Sequence, residues 1–122
     1  MTVRQIQQLN ENFQKHAVQL SELMPASSLA QTTSSLIRSS RRIHADFVKL
    51  LLSREESFFN QLMSRVEEEM DEVVFILDQL EMAYKKKQIS LIHDFLKEGY
   101  GLMSIYSKCC DQVIGNKISE VE

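Results

Sequence analysis

The three histidines, His16, His44 and His93, are the side chains best suited to binding a transition metal. None of them follows a glutamate at the three-residue spacing found in the Glu-x-x-His pairs of di-iron helical bundles. The sequence also has no His-Glu-x-x-His zinc motif. A metal site built from three separate helices remains an alternative, but we expect these histidines at the surface or the core boundary. We therefore predict no metal and no other cofactor.

The acidic run between Glu67 and Glu72 is the second candidate for chemistry. On a helix its members spread around most of the circumference, except that Glu69 and Glu72 lie about 60° apart on one side. Paired carboxylates can perform acid–base catalysis when their environments differ. Since no partner nucleophile or glycine-rich phosphate loop accompanies them, we expect a hydrated or ion-paired face. We predict no catalytic residues and a protein that is not an enzyme.

The adjacent cysteines, Cys109 and Cys110, bear on the cellular compartment. Neighbours on a helix point about 100° apart and do not form an ordinary disulfide, so we expect reduced, partly buried thiols. Reduced thiols suit a reducing compartment. The longest apolar run, Val73–Leu77, is too short for a signal peptide or a membrane span. We expect a cytoplasmic protein that does not interact with membranes.

Four amphipathic segments would position these side chains. Apolar residues recur every three or four positions, which is the spacing of a helix with one apolar face. We predict one domain, residues 1–122, with helices at about 2–24, 29–52, 54–85 and 90–115 and a frayed tail at 117–122. A capping box formed by Ser53 and Glu56 would start the third helix. Short connections predict an all-α, antiparallel, up-down-up-down four-helix bundle.

The apolar faces define the expected core. For the first two helices the faces comprise Val3, Ile6, Leu9, Phe13, Ala17, Leu20, Leu23 and Met24, then Leu29, Thr33, Leu36, Ser40, Ile43, Phe47 and Leu50. For the last two they comprise Phe59, Met63, Val66, Met70, Val73, Leu77, Leu80 and Tyr84, then Ile92, Phe95, Leu96, Leu102, Met103, Tyr106, Cys109, Val113 and Ile114. Two glycines within the fourth helix, Gly99 and Gly101, would let another backbone approach closely.

Polar stripes flank the core faces of the second and third helices. The second helix carries a mostly basic stripe, and the third carries a mostly acidic one. The candidate polar interface comprises Arg38, Arg42, Asp46, Glu69 and Glu72. The two stripes would meet within the bundle or between subunits, or each would be hydrated separately.

Two further expectations concern single residues beside these stripes. We predict that Arg38 pairs with Glu69 or Glu72, because a guanidinium suits bidentate contact with a carboxylate. Phe75 projects nearly opposite the core face of its helix, as an oligomer contact or as a lone exposed aromatic.

Two segments resemble a known family. Leu36–Phe47 resembles the signature L-I-R-S-A-x-S-I-x-A-N-Y of the bacterial four-helix-bundle proteins named for ribosomal-RNA intervening sequences. Glu69–Leu77 resembles the signature E-A-x-E-T-x-Y-W-L of the same family, and Phe59 also fits its pattern. The chain departs from the first signature at Arg42, His44 and Asp46, where the family has serine, a small residue and asparagine.

The resemblance implies a left-handed antiparallel bundle that assembles into a ring-like homopentamer and is not an enzyme. A related accessory protein of diversity-generating retroelements forms such a pentamer and engages nucleic acid and a reverse transcriptase through a basic surface. The present chain has a net charge of −3, and nucleic-acid binders usually carry a basic excess. The nucleic-acid role is therefore disfavoured by charge.

Two functions remain as hypotheses from these observations. The leading one is a non-enzymatic, self-assembling bundle that presents a surface to a protein partner. The alternative is an accessory protein, associated with ribosomal RNA or a reverse transcriptase, that binds nucleic acid through a local basic patch. That patch would comprise Arg38, Arg41, Arg42, Lys49, Lys85, Lys86 and Lys87.

Overall fold

The computed structural model describes residues 1–23, 29–86 and 89–121, with only the backbone described for Leu29 and for residues 114–121. Over these ranges the chain is helical and contains no strand. The four helices are α1 (Val3–Leu23), α2 (Leu29–Leu52), α3 (Glu56–Tyr84) and α4 (Ser90–Val121). In the described chain, no helix combines the length and the apolar character needed to cross a bilayer.

The helices pack around one shared core. Helix α1 packs against α2 and α4, and α3 packs against the same two helices. Phe13 of α1 stacks on Phe95 of α4 with ring centroids 4.8 Å apart, and Phe47 of α2 meets the edge of Tyr106 of α4. Burial of these large rings supplies much of the apolar area that holds the helices together. The arrangement is that of a helical bundle.

The predicted core faces of α2 and α3 are confirmed. Every described member of the α2 face is buried, and on α3 only Tyr84 is partly exposed. Val73 and Leu77 have no solvent-exposed surface. The alternation of four- and three-residue steps keeps such side chains on one side of a helix, so periodicity was sufficient to find them.

The predicted face of α1 is wrong in part. Ile6, Phe13, Ala17 and Leu20 are buried, but Val3, Leu9 and Leu23 are exposed and Asn10 lies in the core instead. Steps of four and three from Ile6 lead through residues 10, 13, 17 and 20, so the regular register includes the asparagine and skips Leu9. Met24 lies outside the described residues.

The fourth helix differs from its prediction at three places. It continues through Gly115 to Val121, beyond the expected end and into the segment expected to fray. Cys110 is buried, whereas Cys109, the predicted core residue, is only partly buried. Gly99 lies against the side chains of Leu77 and Phe13, whereas Gly101 faces open space, so in the described chain no other backbone packs closely against either glycine. The side chain of Ile114 is not described.

The predicted start of α3 is also corrected. The helix begins at Glu56, its N-cap is Glu55, and no side chain caps it by a hydrogen bond. The Ser53 hydroxyl donates instead to the Glu55 carbonyl at 3.4 Å, so the predicted capping box is absent. A capping box forms at α1, where Thr2 N donates to Gln5 Oε1 and Gln5 N donates to Thr2 Oγ1.

Candidate functional site

One polar cluster lies between α2 and α3 and is centred on Asp46. This carboxylate follows Ile43 by three positions, so it lies at the edge of the α2 core face. Its side chain is only 5% exposed, whereas that of Arg65 on α3 is 57% exposed. Arg65 Nη2 lies 3.4 Å from Asp46 Oδ1, which pairs the buried charge with a cation at the surface. An unpaired buried carboxylate would be strongly destabilising.

Glu69 completes this α2–α3 cluster by sharing a hydrogen bond with Asp46. The pKa of Glu69 is raised from 4.5 to about 7, chiefly by burial and also by the hydrogen bond and negative charge of Asp46. The cationic side chains of Arg65 and Arg42 partly oppose it. Below about pH 7 the Glu69 carboxyl is therefore mostly protonated and donates to the Asp46 carboxylate. Glu69 Oε2 is buried and has no hydrogen-bond partner in the described chain.

The structure brings together only part of the predicted polar interface. Asp46 and Glu69 are in contact and Arg42 is near them, but Arg38 and Glu72 are exposed. Among the described residues of one chain, Arg38 forms no ion pair with a carboxylate, so its predicted pairing with Glu69 or Glu72 is absent within the chain. The arginine that contacts Asp46 is Arg65, which lies on the same polar side of α3 as Glu69 and Glu72.

A second polar cluster connects α1, α2 and α4 inside the core. The side-chain amide of Asn10 donates to the Ser40 carbonyl at 3.0 Å and to the Tyr106 hydroxyl at 2.8 Å. The Tyr106 hydroxyl lies 2.7 Å from His44 Nδ1. Asn10 and Tyr106 are fully buried, so these hydrogen bonds satisfy groups that water does not reach. Both residues lie in the core register of their helices, but the sequence predicts only Tyr106 as a core residue, and spacing does not reveal their hydrogen bonds.

The hydrogen bonds of this second cluster determine where its protons lie. Because Tyr106 accepts from Asn10, its own proton is available to His44 Nδ1, which fits a neutral imidazole protonated at Nε2. Burial lowers the pKa of His44, and the charge of Glu11 partly offsets this effect. Burial also raises the pKa of the Tyr106 hydroxyl, so the phenol stays neutral. The arrangement holds three helices in register and presents no activated nucleophile.

The second cluster reaches the surface at a cleft between α1 and α2. Gln14 Nε2 donates to Asn10 Oδ1 at 2.7 Å, and Arg41 Nε donates to Gln14 Oε1 at 3.0 Å. The cleft has a volume of about 270 Å³. It is lined by Gln7, Asn10, Glu11, Gln14, Arg41, His44 and Ala45. These side chains can donate and accept hydrogen bonds, but they do not assemble a nucleophile with its base.

The other histidines lie apart from both clusters. His16 Nδ1 is 2.6 Å from Glu98 Oε2 and links α1 to α4 at the surface. His93 is exposed. Among the described residues, no group of three or more histidine, cysteine or acidic side chains is placed to hold a metal ion.

The residues of the predicted basic patch divide between two parts of the bundle. Arg38, Arg41, Arg42 and Lys49 are exposed along α2. Lys85 and Lys86 are exposed just after the end of α3, and Lys87 lies outside the described residues. Among the described members of the predicted patch, the α2 group lies along a single helix, with Arg38, Arg42 and Lys49 on one side of it.

The outer side of α3 exposes large apolar side chains. Phe75 is 60% exposed and Met82 is 79% exposed. They are seven residues apart, so they lie on the same side of the helix, two turns from each other. Phe58, near the start of α3, is 46% exposed.

Comparison of the chain with protein-family models, with curated proteins and with solved structures found no match. The fold defines an all-helical bundle, and the described residues provide two internal polar clusters and an exposed apolar surface on α3. The relation to the intervening-sequence family is therefore a proposal that depends on the two resembling segments.

Proposed function

We propose that this chain is a non-enzymatic helical-bundle protein that self-assembles and presents a surface to protein partners. The observation that carries the proposal is the exposure of Phe75 together with Met82 on the outer side of α3. Single exposed apolar residues are common, whereas two large apolar side chains exposed on the same side of one helix support a contact surface. Removing both side chains from water would stabilise an assembly through the hydrophobic effect.

The resemblance to the intervening-sequence family supports a ring-like homopentamer as the assembled form. It also supports a left-handed bundle whose helices run alternately up and down. The contacts between α1 and α4 agree with this topology, because Asn10 reaches Tyr106 whereas the later residue His16 reaches the earlier Glu98. The free thiols of Cys109 and Cys110 support a reducing, cytoplasmic location.

Sedimentation velocity of three proteins at micromolar concentration tests the role of Phe75. We expect the wild type to sediment as an oligomer and Phe75→Ser to shift toward the single chain. Val18→Ser provides the control, since Val18 is an exposed apolar residue on α1, 45% accessible to solvent. An unchanged sedimentation coefficient for Phe75→Ser, with the wild type oligomeric, would reject this residue as the contact.

The second candidate function is nucleic-acid binding through α2. It is favoured by one observation: Arg38, Arg42 and Lys49 are exposed and form no ion pair in the described chain. Binding through phosphate contacts would weaken steeply as salt increases, by a slope that reports the number of phosphates neutralised. Titration of a labelled RNA at several salt concentrations, with Arg38→Gln/Lys49→Gln as the comparison, tests this function. Weak binding that these substitutions leave unchanged would reject it.

A further inference from the structure

We propose that copies of this chain associate head to tail, with the acidic surface around Phe75 on α3 of one copy docking on the basic stripe of α2 of the next. This inference rests on the proposed self-assembly and identifies the two surfaces that form the contact. The acidic surface comprises Glu68, Asp71, Glu72 and Phe75. The basic stripe comprises Arg38, Arg42 and Lys49.

The two helices have opposite charges. Helix α3 carries eight carboxylates and one arginine, whereas α2 carries four cationic residues and one aspartate. Within one chain these two helices are joined by the ion pair of Asp46 and Arg65. Asp46 is the single acidic residue of the basic helix α2, and Arg65 is the single basic residue of the acidic helix α3. Most of the charge on both helices is therefore left for contacts outside this pair.

The acidic residues around Phe75 have no partner in the described part of the chain. Glu68, Asp71 and Glu72 precede Phe75 by seven, four and three positions, so they surround the ring on the same side of α3. All three are exposed and none forms an ion pair or a side-chain hydrogen bond there. Two other acids of α3, Asp78 and Glu81, accept hydrogen bonds from Tyr100 and face α4 instead.

The basic stripe has a matching arrangement. Arg38, Arg42 and Lys49 lie at spacings of four and seven residues, and all are exposed. Ala45 lies among them on the same side of α2 and is also exposed, so the stripe has a small side chain at its centre. This gap gives an aromatic ring room to lie against the arginine side chains. A guanidinium over the face of a phenylalanine adds a cation–π attraction to the ion pairs.

Charge also determines which surfaces meet in the contact. Two acidic surfaces, or two basic stripes, placed against each other would repel. Docking α3 of one copy on α2 of the next pairs opposite charges and buries Phe75. In the head-to-tail arrangement each copy uses its two surfaces on two different neighbours, so the contact is heterologous.

Charge reversal on each surface, followed by native mass spectrometry, tests the inference. The first variant is Arg38→Glu/Lys49→Glu, the second is Glu68→Lys/Glu72→Lys, and the third combines all four substitutions. We expect either single-surface variant to give the 14.2 kDa single chain. The combined variant restores opposite charges and should recover the wild-type oligomer. The control, Arg4→Glu/Lys15→Glu, reverses two exposed charges on α1 and should keep the wild-type mass.

Several outcomes would overturn the inference. A wild type that assembles while either single-surface variant keeps the same oligomeric mass would reject this contact and leave self-assembly intact. A folded combined variant that stays a single chain would also reject it. If the combined variant does not fold, the two single-surface variants are mixed instead. We expect complexes that contain both chains. Their absence would reject the contact. A wild type of single-chain mass would reject the proposed function itself.

Discussion

Asn10, His44 and Tyr106 illustrate how single residues fix the arrangement of this bundle. Asn10 occupies a core position of α1 where an apolar residue is usual, and its buried side-chain NH2 group needs two acceptors. The Ser40 carbonyl and the Tyr106 hydroxyl provide them, and Tyr106 in turn donates to His44. A rotation or shift of α1 would break these hydrogen bonds, so the polar residues specify one packing where apolar ones tolerate several.

Removing the Tyr106 hydroxyl should destabilise the protein. Tyr106→Phe keeps the ring but leaves a buried N–H of Asn10 without an acceptor, which costs about 1–3 kcal/mol. Tyr100→Phe is the matched control on the same helix, because Tyr100 bonds Asp78 and Glu81 at a half-exposed position. We expect the free energy of unfolding of this control to fall by less than about 1 kcal/mol. Equal free energies of unfolding for the two variants, measured by urea denaturation, would contradict the role given to the buried hydroxyl.

The raised pKa of Glu69 predicts a pH dependence of stability. The folded protein holds this proton with a pKa of about 7, against an ordinary value of 4.5, so it binds more protons than the unfolded chain between these values. Folding stability contributed by this group therefore falls as pH rises through that window. Glu69→Gln keeps the size of the side chain and removes the titration. We expect its free energy of unfolding relative to the wild type to increase from pH 4.5 to pH 7.

The control for Glu69→Gln is Glu72→Gln, an exposed glutamate on the same helix. Both variants lose one negative charge, so a general charge effect would change them alike. The contradicting result is a free energy of unfolding of Glu69→Gln, relative to the wild type, that does not change with pH or that changes as it does for Glu72→Gln. Either result would show that the Asp46–Glu69 contact does not hold a proton.

At the scale of the helices, periodicity predicted the parts that depend on apolar burial. The faces of α2 and α3 follow from alternating steps of three and four, and the structure buries them as expected. On α1 hydrophobicity favours Leu9 as the core residue, whereas the regular helical register contains Asn10, and the structure buries Asn10. The Asp46–Glu69 contact and the Tyr106 cluster depend on how helices meet, which the spacing within one helix does not contain.

The two glycines of α4 differ in their surroundings and should respond differently to alanine. Gly101 has nothing near it, so Gly101→Ala should stabilise the helix by about 0.5–1 kcal/mol. At Gly99 an added Cβ would lie 2.9 Å from both Leu77 Cδ1 and Phe13 Cε1. Both neighbours belong to the packed core, so Gly99→Ala should be destabilising by about 1–3 kcal/mol. Thermal unfolding of the two variants checks the difference, and a Gly99→Ala protein as stable as Gly101→Ala would contradict this packing.

At the scale of the whole molecule, charge and exposed apolar surface are distributed unevenly among the helices. Carboxylates surround Phe75 on α3, and Arg38, Arg42 and Lys49 on α2 form no ion pair among the described residues. The sequence predicted both stripes, because residue types and helical spacing define them. It left open whether they meet within one chain, and the structure shows that within the chain Asp46 and Arg65 form the ion pair between these helices. The remaining charges are the ones that the proposed contact between copies would pair.

The mass of the wild-type protein in solution tests the central claim of self-assembly most directly. Light scattering coupled to gel filtration at micromolar concentration measures that mass independently of molecular shape. The account predicts a multiple of the 14.2 kDa chain, with about five copies expected from the family resemblance. A single species at 14.2 kDa, unchanged as concentration increases, would contradict it.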